Sequence, residues 1–489
     1  MPFLLLLCLS LACLPGKWSA PASWWSQWDS IVAMVAVISL ISLFAIWIVH
    51  RFVRRLKSGD RDESLSRYNR WRTRHALVQM AAFVLLLYGC GWGWAMQSFS
   101  QRLGFGENGM PGIEALILAP LTLMLLLSWA IFYDGEKAIH ASIDPDDEAP
   151  YGGRWRYVVF QARQNLALVL APVLVLVFTQ GIFRLFPAVF ASELAQAAAT
   201  LPLAALLVVL MPWFVRVVLP LRSLEAGPLR SRLEAAAKRL DCRCSDILLW
   251  NTRKGMANAM VVGIVPQLRY VLLSDRLIQD MSDEEIEAVF GHEVGHVKHH
   301  HMAYYLAFMI CSLAALGRAS QLFVEALPSF WPSAAVYVEQ NQEWLASWLA
   351  LPSVAVIAAY IFGVFGFLSR RCERQADVYG CRAVSCDRSD CAGHDGTETP
   401  APKGRGLCTA GIAIFISALN KVAWLNGISR TKPGWLHSWQ HSTIAKRVDF
   451  LTRIAAEPIL ERRFQKRVFW IKTALLLAVG SLLTVLILI

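Results

Sequence analysis

A run of about 20 apolar residues restricts a chain severely, because within a bilayer its backbone must satisfy its own hydrogen bonds and a helix is the usual result. The sequence offers eight such runs: 31–49, 76–96, 115–132, 166–186, 197–219, 302–323, 344–368 and 468–489. Only 17% of the 489 residues are charged and 56% are hydrophobic, against about 25% charged in soluble proteins. Nineteen tryptophans suit the bilayer interface, where Trp concentrates. The expected fold is a mainly α-helical polytopic membrane protein of about eight spans.

The formal charge of +11 could suggest nucleic acid, but the excess sits in short loops between apolar runs and no RNA- or DNA-binding motif accompanies it. Such loops set orientation. The 50–75 segment carries nine Lys or Arg, 97–114 carries only Arg102, 134–163 carries four, and 187–196 and 326–343 carry none. The alternation places 50–75, 134–164, 220–301 and 369–467 in the cytoplasm. The N-terminal "FLLLLCLSLACL" reads as a signal-peptide core without a basic start or as a retained anchor, and both stay open.

The expected organisation is a possible signal or anchor over 1–20, a five-span membrane region over 21–219, and a catalytic region over 220–301. Two spans follow over 302–368, then a second catalytic segment over 369–466 and a last span over 467–489. Region 220–301 opens with a helical pattern, "PLRSRLEAAAKRL", and continues with strand-like runs "DILLWN", "NAMVVGIV" and "RYVLLS". The second polar region contains "CDRSDCAGHDGTETPAPKGRG", whose Gly, Pro, Asp and Ser content marks an irregular insertion.

Two short motifs carry chemistry. In "MSDEEIEAVFGHEVGH" Ser282 and Glu285 have capping-box spacing, and Ile286, Val289 and Phe290 give the helix an apolar face. His292 and His296, four apart, then project from one side with Glu293 beside them. Two neutral nitrogen ligands, an open coordination position and a carboxylate base for water suit zinc. His299, His300 and His301 are read more simply, as cations suited to a helix C-terminus. A third ligand is needed, and "SRRCERQADVYG" offers Glu373, with Asp377 on the same helical face to orient a ligand histidine.

On these two motifs the chain resembles the integral-membrane zinc metalloendopeptidases that include the seven-span CAAX prenyl protease and the bacterial heat-shock protease HtpX. The likeness runs over residues 220–451, and five spans before the first motif with two between them extend it; it implies a small α+β zincin-type catalytic domain on the cytoplasmic side of the helical membrane protein. It implies that His292, His296 and Glu373 bind one catalytic zinc ion, with Glu293 as general base and Asp377 in support. It also implies that Asn258, Ala259 and Met260 form an edge strand that pairs with a substrate backbone. The segment "WLHSWQHSTIAKRVDFL" is similar to that family's H-P-x-x-x-x-R pattern. His441 would stabilise the oxyanion and Arg447 would fix nearby groups or the substrate. Ser442 stands where the family has proline, and His437 competes with His441.

The function so implied is hydrolysis of peptide bonds in membrane-associated or misfolded membrane proteins, with polypeptides and the bilayer as partners and no nucleic acid. The location so implied is a bacterial cell membrane, with the active site facing the cytoplasm. The rival readings are processing of lipidated C-termini and a non-proteolytic transporter or scaffold. Three features depart from the pattern. The last span is an addition, and Arg318 either faces protein or snorkels. Cys381, Cys386, Cys391, His394 and Cys408 could hold a second, structural zinc ion, but their spacings are not those of a common finger and free thiols are the expected state.

Overall fold

The computed structural model describes all residues except 1, 14–17, 19, 106–109, 144–148, 334–335, 337–351, 389–390, 392, 395–405, 433–438 and 489. His437 therefore lies outside the described residues. The chain divides into two compact units, Met1–Leu219 with Gln340–Ala358, and Pro220–Glu339 with Ala359–Ile489.

The first unit is helical. Its longest helix, Gln27–Ser58, begins with a capping box in which the Ser26 side chain accepts from the Asp29 amide and the Asp29 carboxylate accepts from that of Ser26. Such a cap satisfies amides that a helix start leaves open. The unit's core joins Ala45, Ile48 and Phe52 of this helix to Tyr68 and Phe132.

Among the described residues, six helices are long and apolar enough to cross a membrane: Gln27–Lys57, Arg154–Phe183, Leu194–Val218, His301–Phe323, Pro352–Ala383 and Ile459–Leu486. A seventh is reached if Arg61–Gly89 and Trp92–Phe105, bent by 53°, form one broken span. The expected run 115–132 is the one that falls out of the count of eight. It belongs to the short helix Ile113–Ile117 and to helix Ala119–Ala141. The latter carries polar pairs, Glu136 with Arg72 at 2.7 Å and Asp134 with Arg154 at 2.7 Å. These acidic groups dilute its apolar face; Met124, Trp129 and Phe132 are buried inside the unit, while Leu123 and Leu127 are exposed.

The second unit holds a four-stranded sheet formed by β1 (Leu221–Ser223), β2 (Asp246–Trp250), β3 (Ala259–Val262) and β4 (Tyr270–Ser274) in the order β1-β2-β4-β3. β2 and β4 run parallel and the outer pairs are antiparallel, so β3 is an edge strand. All three strand-like runs read from the sequence are strands, and the three-residue β1 was too short to show a pattern. The helices are α1 (Pro228–Arg239), α2 (Asp275–Asp280), α3 (Asp283–Lys298), α4 (His301–Phe330), α5 (Gly366–Ala383), α6 (Thr409–Leu425), α7 (Ile444–Ala456) and α8 (Ile459–Leu488). The Ser282–Glu285 capping box at the start of α3 is formed. α3 and α4 are parted at His300, whose φ of 52° is left-handed.

α3 and α5 make the unit's most intimate packing. Both glycines of "GHEVGH" face α5. A methyl group at Gly295 would stand 2.7 Å from Tyr379 Cβ and 2.9 Å from Ala376 Cα, and one at Gly291 would overlap Ala383 Cβ. α5 is itself the end of a continuous helix from Pro352, so the expected seventh span runs directly into the E-x-x-x-D motif. The added last helix, α8, is tied to α4 at two heights and to the end of α3 at a third point. Tyr304 donates to the Lys472 carbonyl at 2.8 Å, Lys472 to the His299 carbonyl at 3.0 Å, and Arg318 to the Leu486 carbonyl at 3.0 Å. Arg318 thus faces protein, with Glu325 3.6 Å away.

Gly295→Ala should push the two helices apart and lower stability by about 1–3 kcal/mol, the usual range for overpacking. Gly480→Ala on α8 meets nothing within 4 Å and should leave the melting temperature unchanged or raise it slightly. Thermal unfolding of the full chain in detergent compares the two, and equal melting temperatures would contradict the close-packing account.

Candidate metal and catalytic site

α3 presents His292 and His296 one turn apart, with their Nε2 atoms 3.3 Å from each other. α5 brings the Glu373 carboxylate to 3.8 Å from His292 Nε2 and 3.5 Å from His296 Nε2. One ligand atom from each lies within 4.8 Å of the others, a group able to hold a metal ion. The donor set of two imidazole nitrogens and a carboxylate fits zinc with one position left open. Glu373 is only 4% exposed, and a carboxylate so placed needs opposite charge around it. Burial holds the His296 pKa below its ordinary value, which favours the neutral imidazole that a metal requires.

Behind each histidine stands a second group. Asp377 Oδ1 lies 3.0 Å from His292 Nδ1. Asp377 is in turn gripped by both arms of Arg447, with Nε 2.9 Å from Oδ2 and Nη2 on Oδ1. Burial alone would lower the Arg447 pKa, but the Asp377 charge outweighs it and raises it. The second histidine leans on a longer relay. His296 Nδ1 meets His301 Nδ1 at 3.0 Å, His301 Nε2 meets Gln375 Oε1 at 3.2 Å, and Gln375 donates to Gln465 of α8 at 2.7 Å. Neutral tautomers can run along this line in one direction, each ring donating outward from the metal side.

The histidine tail therefore differs from the cationic helix end read from the sequence. His301 is fully buried and serves the relay. Burial, with Lys472 and Arg382 nearby, pushes the His299 pKa down to about 4. Only His300 is exposed. The density of histidines made the run look like a solvated end, and no local signal separated His301 from its neighbours.

Glu293 points the other way, toward the sheet edge. Its Oε2 accepts from the Val261 amide at 2.9 Å. The Asn258 carbonyl accepts from the Ser274 amide at 2.9 Å, so residues 258, 260 and 262 face β4, and Ala259 and Val261 turn their backbone groups to the open edge. The sequence reading took Asn258, Ala259 and Met260 and missed Val261, because register shows only when the sheet is built. These four residues, with His292, Glu293, His296, Glu373, His441 and Arg447, line a cavity of about 430 Å³ whose other walls include Val289, Phe415 and Leu419. Phe415 of α6 stacks on His292 with ring centres 5.9 Å apart.

His441 Nδ1 stands 2.8 Å from Glu373 Oε2, with 58% of its side chain exposed. The Glu373 charge raises its pKa. Ser442 has φ of 65°, which a proline ring cannot adopt, so its replacement of the pattern's proline goes with a different local turn. Of the five insertion residues, Cys381 is set apart in the core with Ala288, Phe415 and Leu451. The other four stand together beyond the end of α5.

Fold and site together define a membrane-spanning zinc metallopeptidase. Residues 223–392 match peptidase family M48, in agreement with the resemblance read from the two motifs. In overall structure the chain is similar to Ste24p of S. mikatae, described as "Crystal Structure of S. mikatae Ste24p", with a TM-score of 0.50 and 14% sequence identity over 86% of this chain and 98% of that one. At that identity the likeness concerns the fold. A search of curated proteins found no match to the sequence. The M48 match ends before Cys408, His441 and Arg447, whose positions come from the structure.

Removing a group behind a ligand histidine commonly weakens metal binding by about 10- to 100-fold. Asp377→Asn and His301→Phe should each do so, as measured by competition with a chelating dye. Unchanged zinc affinity in both would show that the backing groups do not support the ligands.

Proposed function

We propose that the chain is an endopeptidase for membrane-associated or misfolded membrane polypeptides, working at the cytoplasmic face of the bilayer. One observation carries this reading: a sheet edge with free backbone groups and the Glu293 carboxylate share one cavity, joined by the Val261 amide. An extended peptide can add to such an edge as a further strand, which would lay its backbone across the Glu293 side chain. The cytoplasmic placement rests on the basic loops, since Lys and Arg collect on that side.

His292, His296 and Glu373 would hold the zinc ion, and the chemistry it would supply there is Lewis acidity, which makes water more acidic and polarises a carbonyl. Glu293 takes a proton from the attacking water on the oxygen not engaged by Val261 and returns one to the leaving amine. The Val261 bond keeps that carboxylate in place before substrate arrives. His441, favoured in its protonated form by Glu373, donates to the oxyanion as charge develops on the substrate. Arg447 is committed to Asp377 and so acts on His292 through it, holding the imidazole in orientation. The apolar wall of Val289, Phe415 and Leu419 suits apolar side chains next to the bond that is cut.

Detergent-purified full chain should cleave casein, stop on chelation and recover when zinc is returned. Glu293→Gln should keep its zinc and its melting temperature while kcat falls by about 100- to 10,000-fold, the range for loss of a positioned acid–base group. His441→Ala should also keep zinc, with kcat down by about 100- to 1,000-fold, as for a lost oxyanion donor. Cleavage by Glu293→Gln at the original rate would end this reading. Cleavage of casein but not of a membrane protein in proteoliposomes would remove the membrane substrate while leaving the chemistry.

A further inference from the structure

The insertion that follows α5 has almost nothing apolar with which to fold. Among the described residues its buried cluster consists of Cys386, Cys391, Cys408 and Ala410, each 5% exposed or less. The stretch 387–407, "DRSDCAGHDGTETPAPKGRGL", supplies few other apolar residues. A small segment without a core needs another kind of staple, such as a disulfide or a metal. None of the three cysteines is in a disulfide.

What gathers instead is a ligand set. One ligand atom from each of Cys386, Cys391, His394 and Cys408 lies within 4.8 Å of the other three. In a tetrahedral zinc centre with Zn–S bonds of about 2.3 Å the same atoms would be about 3.7 Å apart, so an ion would draw them in by about 1 Å at most. Cys408 Sγ already stands 3.5 Å from His394 Nε2. The surroundings hold the sulfurs in place. The Gly411 amide donates to Cys408 Sγ at 3.2 Å, the Cys408 amide donates to Ser385 Oγ at 3.1 Å, and the Ala410 amide donates to the Cys391 carbonyl at 2.9 Å. Backbone donors aimed at a sulfur favour the thiolate that binds metal.

We propose that Cys386, Cys391, His394 and Cys408 form a second, structural zinc centre, closed to substrate. Four protein ligands leave no open position, the mark of a structural rather than a catalytic site. Its place gives it a task. Cys386 follows the C-terminus of α5 and Cys408 caps the N-terminus of α6, so the ion pins together the two helices that carry Glu373 and Phe415. Gly380 of α5 packs on the Phe415 ring, and that ring backs His292. The centre would thus fix the cavity wall from outside the cavity.

The test does not depend on hydrolysis. Elemental analysis of the full chain, purified in detergent under reducing conditions, should give two zinc ions per chain. His292→Ala/His296→Ala should retain one, and adding Cys386→Ser/Cys408→Ser should remove it. Should the cysteine variants not fold, a reading with every thiol present decides. Cobalt loaded into the His292→Ala/His296→Ala chain should show a near-ultraviolet thiolate-to-cobalt charge-transfer band, which the nitrogen and carboxylate ligands of the first site cannot produce. Zinc-free His292→Ala/His296→Ala protein, cobalt without that band, or a peptide map with two of the three cysteines joined as a disulfide would each overturn the second centre. None of these outcomes bears on whether the first site cuts peptides.

Discussion

Everything at the first site follows from how closely α3 can approach α5. His292 and His296 are fixed by helical spacing, but Glu373 reaches them only because Gly291 and Gly295 bare the α3 backbone to Ala376, Tyr379 and Ala383. Gly380 repeats the device from α5, where a methyl group would meet the Phe415 ring at 2.5 Å and the Ala288 carbonyl of α3 at 2.9 Å. Close-packed interiors have few voids and transmit displacement, so three helices with glycine at their contacts behave as a block. His292, His296 and Glu373, the group able to hold a metal ion, are attached to that block together with Asp377 and the wall that backs His292.

The parts of this arrangement legible in the sequence are those encoded by local spacing. Ser282 and Glu285 announce a helix start, and H-E-x-x-H and E-x-x-x-D each place two side chains on one face. Three strands could be read from their apolar runs. What could not be read depends on long-range packing. His301 looks like its neighbours until a turn at His300 buries it against Gln375. Val261 becomes an amide donor to Glu293 only through its register with Val271 of β4.

The relay from His296 through His301 and Gln375 ends at Gln465, which gives the additional C-terminal helix a structural connection to the metal site. Buried polar chains are sensitive to incompleteness, because a lost partner leaves a donor or acceptor unpaired in a low dielectric. Lys472 strengthens the same junction by donating to the His299 carbonyl at the end of α3. α8 therefore does more than add a span. It closes the polar line behind one metal ligand and caps the helix that carries it.

The sheet edge argues for how selective such an enzyme can be. Upstream of the open stretch, Asn426 takes both backbone groups of Ala257, accepting its amide at 3.0 Å and donating to its carbonyl at 2.7 Å. Downstream, Gly263 turns away with φ of 109°, and Arg269 holds the carbonyls of Gly263 and Ile264. Between these two ties β3 has four residues, of which Ala259 and Val261 face outward, and Val261 has already given its amide to Glu293. A peptide strand can thus find only the amide of Ala259 and the carbonyls of Ala259 and Val261. At about 0.5–1.5 kcal/mol for each net hydrogen bond, three such bonds fix direction and register but supply little affinity. On the function proposed above, residence would then come from apolar contact, in the cavity and in the bilayer, which suits substrates of varied sequence already held at a membrane. The short edge also limits strand pairing between copies of the chain, the hazard that longer exposed edges carry.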